Sequence, residues 1–333
     1  MAKLHFLNVG LGDCIIIEHN LNNITVIDIC NGKPINQLLE LSKKLEKVEH
    51  LIKSSSSGNF NMCKYPTNPL SYLSELKISD IHRFILTHPD MDHMDGIESL
   101  FDNFNIINYW DNGLRRKPPD FSNNLGKYSK DDWDFYQNLV NKNILDTKII
   151  SPLSGSIGKY FNLSENEIDG GDGLHILSPS VELLKLANDT EDLNDGSYVI
   201  LYKSLGGKIL IAGDSHDSTW EHILTNHLEQ VKDLTVLIAP HHGRKSGRNY
   251  EFLDILKPKY TLFGCAPSEH LAYSAWNYRK LEFNTNNQCG NIVLEIENRN
   301  IDVYIENFNF AYTNEGNISR KNKQDYYFLR NIR

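Results

Sequence analysis

The chain opens with three short apolar runs, residues 4–9, 14–18 and 24–29, separated by Gly10 and Gly12 and then by a polar stretch at 20–23. Runs this short, bounded by glycine and asparagine, predict β-strands. Pro34 follows where a helix would begin, and Ile35, Leu38, Leu39, Leu45 and Val48 give a helical apolar stripe. Residues 54–58 and the Pro66/Pro69 pair read as loop, after which an apolar strand at 81–86 ends in Thr87-His88. Between Asp111 and Asp172 the periodicity weakens. That stretch carries Pro118-Pro119, Gly170-Gly171 and one expected helix at 130–143, and reads as an elaboration over one edge of the fold.

From residue 174 the pattern returns. Strands are expected at 174–177, 198–202, 208–212, 234–238, 260–263, 291–297 and 302–305, with helices at 219–228, 250–256 and 272–281. Strands first, mixed elements later and no fixed-period repeat predict one layered α/β domain over 1–333. The polar, basic tail at 313–333 carries Tyr326-Tyr327-Phe328 and is expected either to dock on the domain or to engage a protein partner.

Composition narrows the class. Hydrophobic residues make up 40% of the 333 residues and charged ones 23%, enough for a proper core. No apolar run approaches the roughly 18 residues of a membrane span, and the first strand begins at once, so no secretory signal is expected. The five cysteines are odd in number and widely spaced, with no C-x-x-C. That pattern predicts reduced thiols and a cytoplasmic location rather than disulfides or a structural zinc site. A net charge of −9 gives no global attraction to nucleic acid, so any such contact needs a local basic patch.

The chemistry concentrates at strand ends. His88, Asp90, Asp92 and His93 lie within six residues as the 81–86 strand gives way to a turn, an arrangement suited to divalent ions. Asp214 stands just past the 208–212 strand, Pro240-His241-His242-Gly243 just past 234–238, and His270 in the loop after 260–263. His270 alone reads as a surface residue. Arg244, Lys245 and Arg248 form a basic turn that would bind phosphate if it faced these groups. Arg115-Arg116-Lys117 would extend the track, with Tyr109 and Trp110 nearby for base stacking.

Together these residues resemble the metallo-β-lactamase superfamily and, more narrowly, the hydrolase domain of the competence DNA-channel (ComEC-type) family. Asn8-Val9-Gly10-Leu11-Gly12-Asp13 resembles that branch's N-V-G-x-G-D pattern, and Asp28 its first-motif aspartate. His88, Asp90, Asp92 and His93 fall on H-x-H-x-D-H, with Asp90 replacing the second histidine. Asn194 opens a segment similar to its N-x-x-S step, while Asp95 departs from a common glycine.

The resemblance implies an αββα sandwich holding two divalent ions, Zn²⁺ or Mn²⁺. One ion would take His88, Asp90 and His242, the other Asp92, His93 and His270, with Asp214 bridging and the choice between His241 and His242 open. Asp92 and His241 would act on the reacting groups, and Asp28, Asp95 and Asn194 would stand behind the ligands. The activity implied is metal-dependent hydrolysis, most concretely of a nucleic acid or another phosphodiester by a metal-bridged hydroxide. The alternatives are hydrolysis of a small ester, lactone or thioester, and a metal-stabilised, non-autonomous subunit of a bacterial defence or competence assembly.

Overall fold

Alternation along the strands decides the architecture. On β9 (Gly207–Ile211), Ile209 and Ile211 enter one apolar cluster, whereas Leu210, with Ala212 just beyond the strand, enters another. On β4 (Asp80–Ile85), Ile85 joins the first cluster and Ile81 and Phe84 a third. A strand apolar on both faces must be covered on both faces. In the computed structural model, which describes all residues except 54–58, 123–127, 143–145, 167, 169, 246 and 315, this is achieved by two stacked sheets.

The remaining strands are β1 (Ala2–Phe6), β2 (Ile15–Glu18), β3 (Ile24–Ile27), β5 (Asn105–Trp110), β6 (Lys148–Ile150), β7 (Leu174–Ser178), β8 (Val199–Ser204), β10 (Val236–Ile238), β11 (Tyr260–Phe263), β12 (Phe283–Thr285), β13 (Ile292–Glu297), β14 (Asn300–Ile305) and β15 (Tyr327–Ile332). The first sheet runs β15-β14-β13-β1-β2-β3-β4-β5-β6, antiparallel up to β3 and parallel from β3 to β6. The second runs β12-β11-β10-β9-β8-β7, parallel from β12 to β9. Ile85 and Trp110 of the first sheet meet Ile211 and Ile238 of the second between the layers. Helices Ile97–Asn103 and Lys130–Val140 cover the first sheet through Leu100 and Tyr136, and helix Asp217–Asn226 covers the second through Trp220 and Ile223. Helix, sheet, sheet, helix is the αββα sandwich expected of the metallo-β-lactamase fold.

One open alternative is decided and two expectations change. The C-terminal tail is a strand: β15 pairs with β14, Leu329 and Ile332 enter the inter-sheet core, and Tyr326 Oη accepts from Asn291 Nδ2 at 2.8 Å. Pairing with β14, with Leu329 and Ile332 turned to the core across a bulge, makes this segment an edge strand of the sandwich, so the tail docks on the domain. Cys63 and Cys265 form a disulfide across 202 residues, against the expectation of reduced thiols, while Cys14, Cys30 and Cys289 are free and buried. No local spacing announces a pair that only the meeting of two distant loops creates. Tyr109 and Trp110, offered above for stacking, are core residues. The 54–58 loop lies outside the described residues, among which no helix is long and apolar enough to cross a membrane.

Between the sheets sits a buried charged cluster. Arg83 Nη2 pairs with Asp172 at 2.7 Å, Arg83 Nη1 donates to Thr25 Oγ1, and Asn23 Nδ2 donates to Asp172. His19, bonded to Thr25 Oγ1 at 2.8 Å, is pushed down to about 3 by burial, with Asp172 opposing and Arg83 reinforcing the shift. From its ordinary 6.5 down to about 3, the unfolded chain therefore binds a proton at this site that the folded one refuses. Stability is complete above 6.5 and falls with acid, by at most about 1.4 kcal/mol per pH unit from this group. A His19→Gln variant is expected to show a flatter dependence of the urea midpoint on pH across that window. An unchanged slope would mean that His19 does not titrate in this way.

Candidate metal centre

The C-terminal ends of β3, β4, β9 and β10 meet at one edge of the sandwich. Asp28 follows β3 with φ 57°, in the left-handed region, and its carboxylate accepts from Thr87 N (2.7 Å), Thr87 Oγ1 (2.7 Å) and His93 Nδ1 (2.8 Å). Thr87 Oγ1 in turn accepts from His88 Nδ1 at 3.1 Å. One aspartate thus sets the orientation of both histidines of the loop after β4. His241 and His242, after β10, also adopt positive φ, 52° and 57°. Two adjacent non-glycine residues held this way store about 1–3 kcal/mol of strain each, which the fold sustains in order to aim the rings. His242 Nδ1 donates to Asp13 Oδ1 at 3.0 Å. The turn carrying Asp13 approaches through Gly12, where a Cβ would lie 2.0 Å from the Asp92 carbonyl oxygen.

Each of these rings is anchored through Nδ1, and the opposite nitrogens converge. His88 Nε2, His93 Nε2, His242 Nε2 and Asp214 Oδ1 are buried with no hydrogen-bond partner among the described residues. His93 Nε2 lies 3.5 Å from Asp214 Oδ1, and His88 and His242 Nε2 lie 3.9 and 3.8 Å from Asp214 Oδ2. His242 Nε2 is also 3.8 Å from Asp92 Oδ2. Donor atoms within 4.8 Å of one another fall into three overlapping sets here: His88, His93 and Asp214; Asp92, His93 and His242; and Asp13, Asp214 and His242. Orphaned imidazole nitrogens and carboxylate oxygens facing one volume fit a divalent ion, because nothing else satisfies their desolvation. Carboxylate–histidine pairs behind the ring nitrogens are the usual support of such ligands.

Charge follows the same geometry. Burial lowers the basicity of His93 and His242, but the carboxylates outweigh it: Asp214 and Asp28 hold His93 well above its ordinary value, and Asp13 and Asp214 lift His242 to about 9. Burial alone would raise Asp214, yet His242 and His93 hold it well below the carboxylate range. His241 differs, pushed down to about 4 by burial despite Asp214 and aided by Arg248. Its Nδ1 accepts from Arg248 Nη2 at 2.8 Å, so the neutral ring carries its proton on Nε2, 3.6 Å from Asp214 Oδ2. Of the adjacent pair, His242 offers a free nitrogen and His241 offers an N–H.

Several expected residues stand elsewhere. Arg248, expected to bind phosphate, is buried and spends its guanidinium on Ser215 O (2.5 Å), Asp214 O (2.9 Å) and His241. It braces the loop that carries Asp214 and is closed to substrate. His270 lies on the turn Ser268–His270, exposed, and joins none of the donor sets; its carbonyl accepts from Lys245 N. Lys245 is exposed and Arg244 half-buried beside the centre. Asp90 is paired with Arg116 and lies 3.9 Å from His88 Nε2, outside the three sets. Asp95 accepts from Asn31 N and pairs with Lys33, bracing the loop after β3 rather than a ligand. Asn194 contacts His216, whose ring stacks obliquely 6.1 Å from His241.

Two contributors were not expected as site residues, Asp13 and Thr87, while Arg116, expected only as part of a basic track, pairs with Asp90 in the loop after β4. Asp13 closes the N-V-G-x-G-D segment, and Thr87 is the residue before His88, so both had a signal in the motifs themselves. Of the expected track, Arg115 pairs with Asp111 and Lys117 with Glu191, and the fold turns Arg116 alone toward Asp90.

Because Asp13 orients His242 without joining the substrate side, Asp13→Asn is expected to weaken divalent-metal affinity about 10–100-fold. Competition against a chromogenic chelator measures this, and an unchanged affinity would remove Asp13 from the centre.

No protein-family model matches the chain, and no curated protein matches it in sequence. Among solved structures it is similar to a diphosphatase of the PhnP family, at 11% identity and TM-score 0.45, covering 89% of this chain and 98% of that one. Igni18, a metallo hydrolase from Ignicoccus hospitalis, matches at 13% identity and TM-score 0.46 over 89% of this chain and all 100% of its own. The metallo-β-lactamase fold protein YhfI from Bacillus subtilis matches at 10% identity and TM-score 0.47, covering 86% and 96%.

Proposed function

We propose that this chain is a metal-dependent hydrolase whose substrate is a phosphodiester, a nucleic acid or a smaller relative. The observation that carries the reading is the convergence of three Nδ1-anchored histidines, each with an orphaned Nε2, on the buried carboxylate of Asp214. The donor sets share His93, His242 and Asp214, which supports two ions side by side. In this reading His88, His93, His242, Asp92 and Asp214 hold them, and Asp90 joins once Arg116 releases it. Nitrogen and oxygen donors without thiolate suit Zn²⁺ and Mn²⁺.

Bound divalent ions supply Lewis acidity and a lowered pKa for attacking water. The chain's own residues do the rest. Asp92 lines a cavity of ≈ 310 Å³ with Asp90, Met91, Arg116, Pro119, Asp120 and Tyr128, so its carboxylate is placed to accept the proton of an attacking water beside the substrate. Arg116 on that wall offers a guanidinium to a phosphate oxygen, a role that Arg248 cannot fill, and Arg244 and Lys245 add positive charge at the rim. His241, neutral at pH 7, donates a hydrogen bond from Nε2 to the phosphoryl group. The N-V-G-x-G-D segment supports kinship with the ComEC-type branch, since its last residue is the partner of His242.

The test is cleavage of labelled single- and double-stranded DNA and RNA, and of bis(p-nitrophenyl) phosphate, with Mn²⁺, Zn²⁺ or chelator. p-Nitrophenyl acetate and a simple lactone run alongside. Phosphodiester cleavage that needs metal supports the proposal. Turnover of the esters alone, or bound metal with no turnover of any substrate, overturns it.

A further inference from the structure

The helix Gln37–Lys53 has no fully buried side chain, and of its apolar residues Leu51 packs against the inter-sheet core while most of the others point away from it. Its polar residues face the body of the protein: Lys47 Nζ pairs with Glu306 at 2.5 Å, Lys44 with Glu75 at 2.5 Å, and His50 Nε2 bonds the Phe60 carbonyl at 2.6 Å. His50 also stacks on Tyr65 at 4.6 Å. The apolar residues Leu38, Leu41, Leu45, Val48 and Ile52 face away, with exposures from 50% at Val48 to 83% at Leu38. A helix packed only to shield its own apolar face would sit the other way round.

The five residues are separated by three, four, three and four positions. That spacing is the a/d seam of a coiled coil, narrower than the stripe of a helix lying on a globular core. With Leu38, Leu45 and Ile52 at a, and Leu41 and Val48 at d, Lys44 falls at g and Glu49 at e. In a parallel pair each g residue meets the e residue five positions further along the other helix, so Lys44 of each copy faces Glu49 of the other. A centred antiparallel pair would set Lys44 against Lys44. The seam is therefore complementary to itself in one orientation only.

We propose that two copies of this chain associate through a parallel two-stranded coiled coil formed by residues 37–53. A free helix of this length is only marginally stable in water. Here the ion pair of Lys47 with Glu306, the packing of Leu51 and the bond from Asn309 Nδ2 to the Leu51 carbonyl already hold it to the body, which leaves Lys44 to exchange Glu75 for Glu49 of the other copy. The body lies on the side away from the seam, so a two-fold axis along the seam places the two bodies apart.

Sedimentation velocity of the full chain over micromolar concentrations tests the proposal. A species of twice the chain mass is expected, with Leu45→Lys raising its dissociation constant at least ~10-fold. Leu45 is exposed, so the thermal midpoint of the variant should stay that of a folded protein; Ile52→Lys serves as a second variant. Lys44→Glu should weaken the dimer, and adding Glu49→Lys should restore it. A strictly monomeric wild type, a dimer indifferent to Leu45→Lys and Ile52→Lys, or a charge swap that fails to restore association overturns the proposal. A monomer that instead co-sediments with anionic phospholipid vesicles through this helix overturns it too.

Discussion

Asp214→Asn is expected to lower the proposed phosphodiester hydrolysis by about three orders of magnitude, because the amide removes the negative charge that would hold the metal ions supplying Lewis acidity. Asp214 is buried, and its two oxygens lie between 3.5 and 3.9 Å from the Nε2 atoms of His88, His93, His241 and His242. It is the group on which the donor sets turn, so in the proposed reading its charge would both gather the ions and balance the rings. The amide keeps the shape and removes that charge. Arg248 holds the loop through the carbonyls of Asp214 and Ser215, contacts that the substitution leaves intact, so the fold should persist. Elemental analysis, kcat/KM and the thermal midpoint together check the result. Native metal content with native activity would remove Asp214 from the centre, whereas a collapsed midpoint would make the loss of activity a folding effect.

The largest effect on stability is expected at the opposite extreme of the molecule's electrostatics, the Arg83–Asp172 pair. Asp172→Ala should lower the unfolding free energy by about 3–5 kcal/mol, because it leaves a buried guanidinium without a counter-charge. That is a large part of the roughly 5–15 kcal/mol typical of a folded domain. Among the described residues the guanidinium would keep Thr25 Oγ1, the Tyr160 carbonyl and the Trp110 ring, none of them a counter-charge, and Asn23 would lose its acceptor. Replacing both partners, as Arg83→Met with Asp172→Leu, should cost distinctly less than the sum of the single changes, since no charge is then stranded. Urea unfolding of the three variants gives the coupling. Additive losses would show that the two groups act independently. The pair also has an architectural role: Arg83 belongs to β4 and Asp172 to the approach to β7, so it joins the two sheets.

Much of this was legible in the residues. Short apolar runs ending in glycine, histidine or aspartate identify strands locally, since they are too short for a helix and turn residues mark their ends. For that reason 260–263 emerged as β11 without change, and Asp28, His88, His93, Asp214 and His242, each placed in advance at the end of a strand, lie together. What escaped was short or masked by polar residues. β6 has three residues and gains its order from pairing with β5. β15 reads as a basic tail until two of its residues, Leu329 and Ile332, find the inter-sheet core across a bulge in the pairing with β14.

Within the candidate site the division has one physical cause. Sequence alone determined which chemical groups are present and at which strand ends, because element type is a local property of the chain. Tertiary structure decided which nitrogen of each ring is free, because that depends on partners brought from elsewhere: Asp13 for His242, Asp28 for His93, Arg248 for His241. It likewise turned Arg248 inward and left His270 outside the donor sets, joined Cys63 to Cys265, and set the apolar seam of helix Gln37–Lys53 facing outward. Local periodicity specifies an element and its apolar face. What that face, or a charged side chain, finally meets is settled by the packing of segments far apart in the chain.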